Sequence, residues 1–319
     1  MSVVSTYIDT KGSFVRKDSI FRNWITADGS SGFPAESGRY HLYVSLACPW
    51  AHRTLIVRNL KGLSDIITVD VVDWLMKKPP GWCFTPDKRL CTKDTVNGCS
   101  SIGEVYRKAD PEYTGAFTVP ILWDKKKGTI VNNESSEIIR MFNTEFNAFC
   151  KTDEQRNLDL YPQELRTKID EVNSWIYPYI NNGVYRCGFA QTQEAYNEAV
   201  GPLFEHLDKV EDILSKSRYL LGARMTEADI RLFTTLVRFD WVYHQHFKCN
   251  KKMIKEYPSL WAYTRDLYQT PGFAVTVDKE HIRRHYHESH GSINAFHITP
   301  VGPDLDFTEP HNRESLSSS

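Results

Sequence analysis

The chain has 319 residues, 41% hydrophobic and 25% charged, a globular composition long enough for two domains and neither disordered nor fibrous. Lysine and arginine total 39 against 40 aspartates and glutamates, a balance that argues against a nucleic-acid binder, which carries a basic excess. No stretch reaches the roughly 18–20 apolar residues of a membrane span, the first residues lack the apolar core of a signal peptide, and seven scattered cysteines read as free thiols of a cytoplasmic protein.

The first strand is read at residues 40–46 (YHLYVSL), rich in β-branched and aromatic side chains. A thiol, Cys48, stands at its end, and Pro49 suits the first position of a helix running to Leu60, which Gly62 terminates. A second strand at 66–72 completes a βαβ unit with the cysteine at the carboxyl edge of a parallel pair. Residues 73–101 read as a long loop, followed by a short helix at 102–109. Strands at 117–123 and 128–131 bracket the charged turn Asp124-Lys125-Lys126-Lys127 as a hairpin; Pro120 makes the first an edge strand or marks a special backbone position. Asn132-Asn133-Glu134-Ser135 opens a helix at 136–142, its polar groups available to the unpaired amides of the first turn. This order, βαβ, helix, ββα, is that of a thioredoxin-like α/β domain, placed at residues 1–152 together with an N-terminal extension.

From 153 to 319 strand character is lost. Helical patterns at 163–179, 192–216, 226–247 and 258–270, separated by Gly and Pro punctuation, make the C-terminal domain all-α. Thr226-Glu227-Ala228-Asp229 has the form of a capping box. The residues from about 272 on, rich in His, Pro and Gly, form an extension expected to fold back on the body.

Cys48 carries the sharpest chemical signal. A thiol just before a helix meets unpaired N–H groups and the positive end of the macrodipole, both of which favour thiolate over thiol. Position 51 is Ala51, so a resolving cysteine is missing from this motif and an external thiol must regenerate the enzyme. Cys83, Cys91 and Cys99 lack the paired spacing of a zinc site, and His281, His285, His287 and His290 lack a carboxylate or cysteine partner at ligand spacing. No metal is expected; the histidines read as an exposed or packed set.

At this point residues 21–26 (FRNWIT), 38–45 (GRYHLYVS), Cys48-Pro49-Trp50-Ala51-His52-Arg53, 118–124 (TVPILWD), 132–138 (NNESSEI), 181–185 (NNGVY) and 298–303 (ITPVGP) carry a resemblance. Together they resemble the glutathionyl-hydroquinone reductases, the xi-class glutathione transferases, which are relatives of the omega class. The resemblance implies a glutathione transferase fold, glutathione as co-substrate without a metal, glutathionylated quinols as partners, and a homodimer. It implies that Cys48 is the nucleophile, that Val119 beside a cis Pro120 pairs with the cysteinyl part of glutathione, that Glu134 and Ser135 hold the γ-glutamyl end, and that Trp82 lines the same site. Tyr185 and Tyr286 would surround the aromatic acceptor and supply a proton. Two positions depart from the pattern: Gly103 and Ala116 stand where arginines are usual. Arg107, one helical turn past Gly103, is the candidate for the missing charge; failing that, Gly103→Arg is expected to tighten glutathione.

The expected activity is deglutathionylation of glutathionyl-hydroquinones through a mixed disulfide, giving hydroquinone and glutathione disulfide. An omega-like thiol transferase acting on dehydroascorbate, and a non-catalytic transferase-like binding module, are the alternatives.

Overall fold

All five residues of β1 (Tyr40–Val44) are buried, as befits a strand with neighbours on both sides. Its chain leads through Cys48 into α1 (Pro49–Leu60) and returns as β2 (Thr68–Val71), which pairs parallel to β1 and lies at the sheet edge, with Thr68 exposed. β3 (Ile121–Asp124) pairs antiparallel with β1 and with β4 (Thr129–Asn132), giving the order β2-β1-β3-β4. In this computed structural model residues 7–77 and 79–316 are described.

The strand expected at 117–123 is shorter at its start. Val119–Pro120 is a cis peptide, and the ladder begins only at Ile121. Pro120 therefore does not mark an edge, since β3 is an interior strand; it is the special backbone position that precedes one. The hairpin turn forms because the Asp124 carboxylate accepts the amides of Lys126 and Lys127, while Arg39 pairs with the same carboxylate. Gly128 closes the turn at φ +63°. Helices α2 (Ile102–Ala109) and α3 (Ser135–Thr144) follow the expected order; α1 packs on α3, and α2 on β4.

The loop at 73–101 is organised by carboxylates. Asp94 accepts the amides of Val96, Asn97 and Cys99 and the Tyr43 hydroxyl, while Asp73 accepts Thr85 and Lys88. The chain divides into two compact units. One comprises Asp18–Asp159 and Val275–His285, so that a late segment belongs with the sheet; it also contains α4 (Asp153–Asn157). The other comprises, among the described residues, 7–17, Leu160–Ala274 and 286–316.

This second unit holds α5 (Arg166–Ile176), α6 (Gly183–Phe189), α7 (Gln193–Leu214), α8 (Glu227–Arg238) and α9 (Pro258–Gln269). π-Helical turns at Tyr177–Asn181 and Phe239–Tyr243 continue α5 and α8. At the start of α8 the Asp229 carboxylate reaches back to the Thr226 amide at 2.8 Å, the carboxylate half of the capping box. The extension contains a helix that its His-rich sequence concealed, α10 (Lys279–Ser289), with the division between the units falling after His285. Further on, the tail is fastened by Phe307, packed among Trp241, Trp261 and Tyr268, and by the buried Arg313. Among the described residues no helix is long and apolar enough to cross a membrane.

Candidate active site

Cys48 is the N-cap of α1, in extended conformation, with Pro49 filling the first helical position where a missing N–H costs nothing. Its thiol is half-buried and lies 3.5 Å from the carbonyl oxygen of Val119, the residue that enters the cis bond to Pro120. The βαβ crossover and the β3 entry thus bring together two segments separated by 71 residues.

Beside them is the start of α3. Glu134 is its N-cap: one carboxylate oxygen accepts the Ser136 amide at 3.0 Å and the Ser136 hydroxyl at 2.9 Å, and the other receives the Ser19 hydroxyl at 3.5 Å. Glu134 is therefore already engaged in capping the start of the helix, with lone pairs remaining on the second oxygen. Ser135 occupies the first turn and is buried; the Arg53 guanidinium, itself buried on α1, donates to its hydroxyl at 3.5 Å and lies over the Trp50 ring. A helix N-terminus with a hydroxyl and a guanidinium is a site for a carboxylate. Arg53 was not singled out from sequence, where it reads as one of several charges along α1.

Trp82 is buried and stacks on the imidazole of His285, ring centroids 4.7 Å apart. Arg107 is exposed and lies over the Phe117 ring, 4.9 Å from its centroid. A Cβ at Gly103 would stand 3.3 Å from that ring and 3.5 Å from the Arg107 guanidinium. Gly103 is thus what lets Arg107 fold inward over α2, and Gly103→Arg would crowd a space that is already filled rather than supply a missing charge.

The tyrosines lie in the other unit. Tyr185 and Tyr286 share a hydrogen bond of 2.6 Å between their hydroxyls, and Tyr243, which no sequence pattern singles out, makes one of 2.9 Å to Tyr286. Burial, and next the neighbouring phenols, push Tyr286 well above the usual phenol range. Burial does the same for Tyr243, so both keep their protons at neutral pH. Tyr185 is only half-buried, with the Arg16 guanidinium over its ring.

The remaining cysteines are all free thiols, and burial pushes Cys91 and Cys99 up to about 11, which leaves them inert beside Cys48. The histidines that crowd the extension have separate partners: His281 meets the Arg89 carbonyl, His285 the Trp74 carbonyl, His287 the Gln245 amide and His290 the ring of His246.

Residues 47–145 match the family model of the glutathione S-transferase N-terminal domain, and residues 193–266 that of the C-terminal domain. Glutathionyl-hydroquinone reductase YqjG of Escherichia coli (strain K12) is 54% identical over 318 residues, 97% of this chain and 95% of that protein. The crystal structure of a glutathione S-transferase Xi from Phanerochaete chrysosporium is 54% identical with a TM-score of 0.91, covering 95% of this chain and 96% of that one. The chain belongs to the xi-class glutathione transferases, the glutathionyl-hydroquinone reductase family. Xi-class members are enzymes, and the binding-module alternative falls with the assignment. A glutathione-bound structure of the E. coli YqjG superposes on this xi-class chain with a TM-score of 0.89 at 55% identity, covering 92% of this chain and 96% of that one.

Proposed function

We propose that this enzyme reduces glutathionyl-hydroquinones, with glutathione as the second substrate and Cys48 as the nucleophile. The observation that carries the reading is the Cys48 thiol at a helix N-terminus, 3.5 Å from the Val119 carbonyl beside cis Pro120. An extended peptide paired with the Val119 backbone carries its own sulfur to that thiol. The γ-glutamyl end then meets the α3 N-terminus, where Ser135 and the first-turn amides take its carboxylate and Glu134 its ammonium. Trp82 lines the glutathione site, and Arg107 takes the glycyl carboxylate.

Each half of the reaction is an exchange at sulfur. The Cys48 thiolate attacks the sulfur of the glutathionyl aromatic; an S–S bond forms as the C–S bond breaks, and the electron pair stays on the ring carbon. That carbon takes a proton, a role for which the family resemblance offers Tyr185 or Tyr286. Tyr286 is buried between two other hydroxyls and holds Tyr185 in place. A second glutathione thiolate then attacks the mixed disulfide, releasing glutathione disulfide and the Cys48 thiolate. A reducing cytoplasm keeps both the co-substrate and the chain's thiols reduced, and the family resemblance favours a homodimer.

The test is a side-by-side assay on a glutathionyl-hydroquinone and on dehydroascorbate, with intact-mass detection of a glutathione adduct on Cys48. Faster turnover of the quinol conjugate is expected, and Cys48→Ser and Cys48→Ala should abolish both turnover and adduct, since neither side chain forms a disulfide. A variant keeping more than about a tenth of the activity removes Cys48 from the mechanism. Faster turnover of dehydroascorbate points to a thiol transferase instead.

A further inference from the structure

Of His281, His285, His287 and His290, the proposed reaction uses none, yet one of them touches a residue placed in the glutathione site. The His285 imidazole is buried and stacks on the Trp82 indole, centroids 4.7 Å apart and planes 23° from parallel. Its Nδ1 lies 2.8 Å from the Trp74 carbonyl oxygen, so Nδ1 carries the proton and donates. The ring is therefore fixed in both position and tautomer.

The indole it faces belongs to a loop without regular structure. Around Trp82 the backbone is tied at Gly81, Trp82, Cys83 and Phe84, with the Ile102 amide donating to the Trp82 carbonyl and the Asp73 amide to the Cys83 carbonyl, but these bonds leave the indole free to turn about its own torsions. What fixes the side chain is the segment Val275–His285, which meets this loop repeatedly: Arg89 pairs with Asp278, and the His281 Nε2–H donates to the Arg89 carbonyl. The same segment reaches the nucleophile's helix, where Thr276 bonds the buried His52 ring at 2.7 Å, and the His52 amide donates to the Cys48 carbonyl. One segment from late in the chain thus braces both the Trp82 loop and the first turn after Cys48.

We infer that His285 is a positioning residue for glutathione: it holds Trp82 in the orientation in which the indole meets the peptide, and acts on binding through Trp82 alone. The inference rests on the proposed glutathione site. It predicts an affinity effect without a chemical one, because His285 touches no reacting atom. An aromatic stack of this geometry sets the scale: His285→Ala should raise the glutathione KM about three- to tenfold and change kcat less than about twofold. His285→Phe, which restores a ring face without the Nδ1 donor, should recover most of the loss.

The deciding measurement is a double-mutant cycle with Trp82→Ala in the full-length enzyme, read by calorimetric glutathione affinity and by steady-state kinetics. In the Trp82→Ala background, His285→Ala should add nothing to the loss. Additive losses, or an equal loss in His285→Phe and His285→Ala, overturn the inference. Should His285→Ala not fold, His285→Leu, which fills the volume without a π-face, carries the same expectations. If Trp82→Ala leaves glutathione affinity unchanged, the inference fails together with the place of Trp82 in the site. Cys48 chemistry is then judged separately, from the mixed-disulfide adduct.

Discussion

Arg107→Ala tests whether this chain reads the glycyl carboxylate of glutathione in its own way. The guanidinium rests on Phe117, 4.9 Å from the ring centroid, and fills the space that Gly103 leaves by having no side chain. A buried charge-assisted hydrogen bond contributes roughly 1.5–3 kcal/mol. Arg107 is exposed, so solvent screening reduces this to about 1 kcal/mol, or a rise of about fivefold in the glutathione Kd. Arg107→Lys, which keeps the charge but loses the planar stack, should fall between the two. Gly103→Arg should bring no gain, because its Cβ meets Phe117 at 3.3 Å and its charge meets Arg107. Calorimetry at low and high salt gives the affinities, and the effect should shrink as salt rises. Glutathione esterified at its glycyl carboxylate supplies the control: the wild type should bind it more weakly than glutathione, while Arg107→Ala should bind both alike. An Arg107→Ala enzyme that still discriminates between ester and acid would refute the assignment.

Two further predictions concern the helical unit. Arg313 is buried and donates to the carbonyls of Leu214, Ser217 and Arg218, at and just past the end of α7, and of Ser259 at the start of α9; Arg313→Met should cost about 3 kcal/mol in urea unfolding, and a loss under about 1 kcal/mol would show that the tail is not fastened there. Asp240 is buried, which raises its pKa to about 6 although the amides of Lys255 and Ile254 pull the other way. The folded state therefore binds more protons than the unfolded chain between an unfolded pKa of 3.8 and about 6, and this residue's contribution to stability falls as pH rises through that window. Comparing unfolding free energies at pH 4 and pH 7, Asp240→Asn should remove that decline, and parallel curves for variant and wild type would contradict it.

The sheet was legible because its signals are local. The β-branched and aromatic run at 40–46, a thiol followed by proline, and Asp124 ahead of three lysines each act within a few residues, and β1, α1 and the β3–β4 turn appear where these patterns place them, with β1 ending at Val44. Pro120 was legible only in part: a proline cannot donate to a ladder, so sequence reasoning offered an edge strand or an unusual backbone, and the choice needed the neighbouring strand β4, which makes β3 interior. What stayed hidden depends on pairs far apart in the chain. Tyr243 meets Tyr286 across 43 residues, and His285 meets the Trp74 carbonyl across 211, with no periodicity to join them. The concealment of α10 has a different cause. Its sequence, KEHIRRHYHES, presents no simple apolar stripe, because buried histidines take places that leucines would fill in an ordinary amphipathic helix. Burying an imidazole is costly unless it is hydrogen-bonded, and each buried histidine of α10 engages at least one ring nitrogen. Each such residue in α10 therefore marks a specific contact, and the helix carries its tertiary information in hydrogen bonds and ring stacks rather than in hydrophobic period, which is why a substitution as mild in volume as His285→Leu is expected to be felt at a loop roughly two hundred residues earlier.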